Sequence, residues 1–354
     1  MTNILQKFML AALAAAITGS LSLSAAAQAT PKPEPTVKPK KAEPSEPGVP
    51  APPAPYTYEY KYKHGPSGTY ERSIAVAPNV NLTLCVTEGE LRINSWDRNE
   101  VRVYVAGGPK FAFKVVDKGA DGRPVWISAL NQQATPGVNP ECIWGETVEL
   151  DAPAGTSLKL TGKAINVQVD GMRKVNAQTV GGDLSIRNTK EGVVAKTYEG
   201  DITVEESWGQ VNLESTNGNI VVVDSGPTEI GDTFRAKTNS GAVSLTRVGH
   251  RAMDVTSISG SVMFNGELKN GGSYSLSTSN GSLRLALPAM TNCRLSATFT
   301  AGSFQIELPY KIITETIAPE DLKSIVADVG NGGQATLRLS SGRGRIGIIK
   351  TAKP

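Results

Sequence analysis

Acidic side chains are the first place to look for chemistry in this 354-residue chain. Asp201, Glu205 and Glu206 lie close together, with Asp224 one repeat further on. Two carboxyl groups at a set separation are what a glycosidase needs, one to donate a proton and one to act as base or nucleophile. A polysaccharide lyase would present a comparable cluster on a flat wall of strands. The same four residues also suit outward, solvated strand positions, and that reading is the favoured one. Nucleophilic catalysis requires a base held beside a Ser or Cys. Here the serines recur at fixed repeat positions, and no Gly-x-Ser-x-Gly elbow occurs. His64 and His250 are the only histidines; each adjoins a glycine in a turn-like context, so both read as exposed turn residues. Nothing near them has metal-ligand spacing. Gly181-Gly182-Asp183 resembles one unit of a calcium β-roll but has no tandem copies, and phosphate-cradling glycine loops are absent. No catalytic residue, metal ligand or cofactor site is assigned, and a non-enzymatic role is expected.

Recognition chemistry is better represented. Trp208 falls in the inter-strand loop Ser207-Trp208-Gly209, and Tyr198 takes an outward position at the previous corner. Both are candidate ligand contacts, because an exposed aromatic face can stack on a sugar ring; the plainer reading is that such residues cover strand edges. Trp96 and Trp144 are assigned to an N-terminal cap, and the alternating Tyr56, Tyr58, Tyr60 and Tyr62 to packing. Of three cysteines at least one stays unpaired. Cys85 and Cys142 are the candidate disulfide in an oxidising compartment, and Cys293 reads as a small buried hydrophobe.

The elements that must carry these residues are set by a repeat. Two alternating apolar residues, four polar ones, a Gly and two more alternating apolar residues recur along the chain. One copy reads Val211-x-Leu213, Glu214 to Asn217, Gly218-x-Ile220-x-Val222. The frame fits at Gly182, Gly200, Gly218, Gly241, Gly260, Gly281 and Gly302, spaced by 18, 18, 23, 19, 21 and 21 residues. Outlying copies sit at Gly89 and Gly344, and a degenerate one has Ile165 where Gly belongs. Self-similarity at this period sets the architecture of a whole chain. Each unit holds two period-2 segments, which is strand patterning with one buried face. The spacing predicts one coil of a parallel β-solenoid per unit. A hydroxyl residue stands three places before each Gly, at Thr179, Thr197, Ser215, Thr238, Ser257, Thr278 and Ser341, as though stacked hydroxyls bridge coil to coil. Phe299 and Val86 break that column.

The competing fold is an antiparallel β-meander, for which Asn217-Gly218 and Asn280-Gly281 would be good hairpin turns. Glu199-Gly200, Ser259-Gly260 and Ala301-Gly302 would be poor ones, so the solenoid is preferred. Residues 309–328, between the Gly302 and Gly344 copies, are expected to be a looped-out insertion with a short helix from Pro319 to Ala327.

The ends bound the class of protein. Residues 1–29 read as a signal peptide: Lys7, an apolar run from Phe8 to Ile17, then small residues suited to cleavage. Residues 30–55 hold ten prolines mixed with Lys and Glu, a composition that favours an extended, disordered linker. Residues 56–150 are expected to form a strand-rich N-terminal cap, and 151–350 the solenoid. Net charge is +3 with no basic block in the folded region, which argues against nucleic acid as a partner. No stable membrane span is expected after signal cleavage, because the leader's apolar run is short.

Gly89-Glu-Leu-Arg-Ile-Asn-Ser-Trp96-Asp97, then Val101-Arg-Val103, Leu150-Asp-Ala-Pro153-Ala-Gly155 and the recurring Thr-x-x-Gly corners carry a family likeness. Over roughly residues 74–348 the chain resembles the bacterial putative adhesin family, exported β-strand-repeat domains of unassigned function. The resemblance implies a right-handed β-helix-like fold outside the cytoplasm and a surface or adhesion role, with no catalytic residues to carry over. The resulting expectation is an all-β, exported, non-catalytic scaffold or binding surface in the periplasm, at the cell surface or outside the cell. Its partner would be an envelope or extracellular polymer or protein. The alternative is a carbohydrate-active β-helix enzyme, and a third reading is an envelope-stress accessory that senses through protein contacts.

Overall fold

The computed structural model describes residues 67–132, 142–318 and 322–351. The chain divides into Met1–Tyr60 and Lys61–Pro354, and every described residue belongs to the second unit. The proposed leader, the proline-rich linker, His64 and the Tyr56–Tyr62 stripe therefore lie outside the described residues.

All regular structure described is β. Six strands come first: β1 (Gly68–Ala75), β2 (Asn81–Trp96), β3 (Glu100–Gly108), β4 (Phe111–Lys118), β5 (Pro124–Asn131) and β6 (Thr147–Pro153). The long β7 (Ser157–Asp170) leads into the repeats. These pair up as β8 (Lys174–Gly181) with β9 (Leu184–Arg187), β10 (Val193–Glu199) with β11 (Ile202–Trp208), and β12 (Val211–Asn217) with β13 (Ile220–Gly226). Next come β14 (Thr233–Ser240) with β15 (Val243–Val248), β16 (Ala252–Ser259) with β17 (Val262–Asn265), and β18 (Ser273–Asn280) with β19 (Leu283–Leu287). Last are β20 (Cys293–Ile306), β21 (Tyr310–Ile317), β22 (Lys323–Val329) and β23 (Thr336–Lys350). No described helix is long and apolar enough to cross a membrane.

Each repeat is one rung. The strand before the corner Gly pairs in parallel with its equivalents above and below: β10 takes Val193↔Val175 from β8 and Val193↔Val211 from β12. The strand after the corner does the same, with Ile202↔Leu184 and Ile202↔Ile220. Two parallel walls result, a first and a second, and the alternating residues of both point inward. Val193, Ala195, Ile202 and Val204 are fully buried, as are their counterparts up and down the stack. In-register parallel pairing of like sequences is the solenoid arrangement; the meander would have required antiparallel neighbours.

The corner shows why Gly recurs. A Cβ on Gly218 would lie 2.0 Å from the carbonyl oxygen of Gly200, and one on Gly241 would lie 2.0 Å from that of Gly218. Rungs meet there backbone to backbone, closer than any side chain permits. The hydroxyl column acts at the same place. Ser215 Oγ donates to Gly200 O at 3.0 Å, Thr238 Oγ1 to Gly218 O at 2.8 Å and Ser257 Oγ to Gly241 O at 2.8 Å. The hydroxyls thus bridge rung to rung through the preceding glycine's carbonyl instead of through one another.

Three expectations need correction. The Gly89 copy is a full rung and not merely part of a cap: β2 pairs with β7 from Asn81↔Ser157 to Asn94↔Asp170. The last two rungs stack out of sequence order, because β23 lies between β18–β19 and β20, and Gly344 falls between Gly281 and Gly302. Residues 323–327 are strand, not helix. β22 runs antiparallel to both β20 and β21, because Ile325, Ala327 and Val329 alternate into the core beside the final rung.

Candidate functional site

The four acidic candidates are distributed along the second wall, and Asp201, Glu205 and Asp224 are held in structural contacts. Asp201 sits just after a corner and belongs to a ladder of side chains that tie successive rungs. Asn166 Oδ1 accepts the Asp183 N–H at 3.1 Å, and Asp183 Oδ1 accepts the Asp201 N–H at 2.8 Å. Asp201 Oδ1 accepts the Asn219 N–H at 2.7 Å, and Asn219 Oδ1 the Ala242 N–H at 2.9 Å. Glu205 lies 3.7 Å from Arg187, which also reaches Asp170 at 3.7 Å. Asp224 is gripped by Arg247 through both carboxylate oxygens. That guanidinium holds the Asp224 carboxyl below the usual carboxylate range. Asp201 and Glu205 are four residues apart on one extended strand, about 13 Å at about 3.3 Å per residue. That exceeds the ~5–9.5 Å over which paired glycosidase carboxyls work.

A second corner escaped sequence reading. Asn188, Glu206, Asp224 and Arg247 have φ of 55°, 47°, 55° and 53°. They occupy one column, since flanking pairs such as Glu205↔Val223 and Ser207↔Ser225 stay in register around them. Four successive rungs therefore make the same left-handed kink without glycine, which costs of order 1 kcal/mol per residue or more. Only an Asn and an Asp in that column match the residue types that tolerate this conformation. The Glu and Arg between them hid the signal.

Trp208 is the last residue of β11, paired with Gly226, and not part of a loop. It is 48% exposed. Its indole lies over Gly226, where a Cβ would come within 2.7 Å of the ring. One face packs on the wall and the other meets solvent. Tyr198, 55% exposed, stands at the corner beside the exposed Val180 of the rung before. Tyr198 belongs to β10 on the first wall, whereas Trp208 ends β11 on the second, about 20 Å along that strand from the Gly200 corner at about 3.3 Å per residue, so they do not converge on one ligand-sized site.

His250 departs from its expected exposure: it is fully buried. Its Nε2 lies 2.8 Å from Gly209 O. A carbonyl only accepts, so Nε2 carries the hydrogen and Nδ1 is the bare acceptor, buried without a partner. The ring also lies 5.6 Å from that of Phe234. Burial pulls its pKa below the ordinary imidazole value, against the opposing pull of the Gly209 carbonyl and of Asp232. Asp232 is itself depressed: burial works against its charge, but the Arg251 backbone N–H and guanidinium outweigh it. These groups form a structural tie between loops, with the His250 ring itself buried.

Cys85 and Cys142 are joined in a disulfide, Cα to Cα 4.4 Å. Cys293 is free and buried, its thiol pushed up to about 11 mainly by loss of solvent. No group of three or more potential metal ligands occurs among the described residues.

Comparison with known proteins places this architecture. No curated protein matches the chain. Among solved structures, a putative cell adhesion protein from Clostridium sporogenes ATCC 15579 is 10% identical over 80% of this chain and 100% of that chain, with a TM-score of 0.24. A putative adhesin from Bacteroides fragilis NCTC 9343 is 11% identical over 79% and 97%, with a TM-score of 0.34. Another, from Parabacteroides merdae ATCC 43184, is 9% identical over 80% and 96%, with a TM-score of 0.25. Residues 79–321 match the family described as Toastrack DUF4097. With most of the sequence and nearly all of its rungs inside that match, the chain belongs to the Toastrack DUF4097 family.

Proposed function

We propose that this chain is an exported, non-catalytic scaffold whose outer walls bind an envelope or extracellular polymer or protein. The observation that carries the reading is the use made of its acidic residues. Asp201, Glu205 and Asp224 hold rungs together through a backbone ladder and ion pairs, and none of them faces another across a cleft. A regular wall of polar columns, repeated rung after rung, supplies many weak and equivalent contacts, which favours avidity over a single tight pocket. The leader-like residues 1–29 and a disulfide that persists in oxidising compartments support export.

Within that reading Tyr198 and Trp208 are two separate contact points, one on each wall, and each offers an exposed aromatic face. A glycan array probed with the exported protein is expected to give signals that weaken several-fold in Trp208→Ala while the fold stays intact. Turnover of wall or capsular glycans that Asp201→Asn or Glu205→Gln abolishes would overturn the proposal in favour of an enzyme.

A further inference from the structure

The C-terminal end of the solenoid is stepped. Beyond the last rung, the first wall continues through β22 and then β21. Among the described residues, the second wall stops at residues 303–306 of β20, whose hydrogen-bonded neighbour is β23 on one side only. The interior is thus covered on one side and open on the other. On the open side Phe304 and Ile306 are only partly buried. Opposite them, β21 is exposed along its whole length. Register identifies its inner face: Tyr310 pairs with buried Val329 and Ile312 with buried Ala327. After a one-residue bulge at Ile313, Glu315 and Ile317 take up the same face opposite Ile325 and Lys323. Tyr310, Ile312 and Ile317 are 45%, 45% and 69% exposed. This is an apolar strip continuous with the protein's own core, bordered by two unpaired strand edges, which otherwise invite uncontrolled pairing.

We propose that this end is a docking surface for a second copy of the chain, joined as a half-lap about a two-fold axis. The shape selects the occupant. What the step lacks is a two-stranded continuation of the second wall with an apolar inner face. The inverted copy of the same step, β22 and β21 of another molecule, is that continuation. A two-fold parallel to the strands lays each copy's β21–β22 ledge under the other's. Tyr310, Ile312 and Ile317 then lie against the second copy's inner face, and each β21 edge meets the second copy's free β20 edge. Such a contact is self-complementary and closes at two, as an isologous interface must. Head-to-tail stacking has no equivalent, because the N-terminal end carries extra strands on both walls. Glu315 is the one charge on the inner face of β21, with Lys323 on the same face of β22 beside Ile317, and burial of Glu315 weakens the joint. The interface goes beyond the proposed binding role and does not depend on it.

Sedimentation equilibrium of the full exported chain tests this. A concentration-dependent monomer–dimer equilibrium is expected. Ile312→Asp should raise the dissociation constant at least 100-fold, and Glu315→Ile should lower it about 10-fold. Both positions are solvent-exposed in the monomer, so thermal unfolding of dilute protein checks that the fold is intact. Hydrogen exchange should show β21 amides protected in concentrated protein and open on dilution. A wild type that stays monomeric to millimolar concentration, a dimer indifferent to both substitutions, or β21 protection independent of concentration would each overturn the proposal. The last would mean that another part of the same molecule covers the strip.

Discussion

At the N-terminal end of the stack both walls run on into further strands, whereas at the C-terminal end only one does. The first wall of the Gly89 rung continues from β2 to β5 and β4, and the second from β2 to β6, β3 and β1. The two extensions close on each other, and Val101, Val103, Val105, Phe111, Ile127, Val148 and Leu150 are fully buried between them. The disulfide from β2 to Cys142 and the isolated bridge Val86↔Ile143 pin the closure. At the other end the same alternation of apolar residues on β21 leaves them in solvent. The difference teaches that an apolar period-2 pattern creates a face but does not bury it. Burial requires an opposing wall, and here the count of strands on each side decides whether one exists.

Five measurements would break or sharpen that contrast. Leu150→Ala at the closed end should cost about 2–5 kcal/mol in urea unfolding, while Ile312→Ala at the open end should stay within about 0.5 kcal/mol in dilute protein. Equal costs would erase the distinction between the ends. Next, Cys142→Ser is expected to lose about 2–4 kcal/mol by freeing a closed loop in the unfolded chain. Buried Cys293, near the open end, should in contrast stay unreactive to thiol reagents at neutral pH until its strand opens.

Gly344→Ala tests the rung order near the open end. Its Cβ would lie 2.0 Å from Gly281 O, and the residue has φ of 142°, so a loss of about 1–3 kcal/mol is expected. A neutral result would mean that the out-of-order rung is loosely seated. The smallest effect belongs to His250, in mid-stack and common to both ends. Its folded pKa lies below the unfolded value of about 6.5. As pH falls below that, the unfolded chain takes up the proton first, so stability declines until the folded pKa is passed. His250→Gln should flatten that part of the pH–stability curve, and an unchanged slope would assign it to other groups.

Legibility from sequence followed the range of the interaction. The rungs, their corner glycines and the hydroxyl column recur at a constant offset, so one-dimensional comparison finds them. Tyr198 was recognisable as an outward residue for the same reason, whereas Trp208 reads as a loop residue and is the paired last residue of β11. The kinked column at Asn188, Glu206, Asp224 and Arg247 was missed because its residue types vary while its backbone does not. His250 was misread because its burial comes from Gly209 and Phe234, outside its own turn. The helix expected at Pro319–Ala327 failed because β20 and β21 offer β22 two partners, and tertiary pairing overrides local propensity.

The sequence by itself determined that this chain builds rungs of about twenty residues with a glycine at each corner. Those constraints act between a residue and its near neighbours, and every copy repeats them. Only the tertiary structure decided which rung lies on which, that β23 slips between β19 and β20, and that one end closes while the other stops a wall short. Those outcomes turn on which distant strand edge is free when a segment arrives, and free edges are a property of the assembled stack.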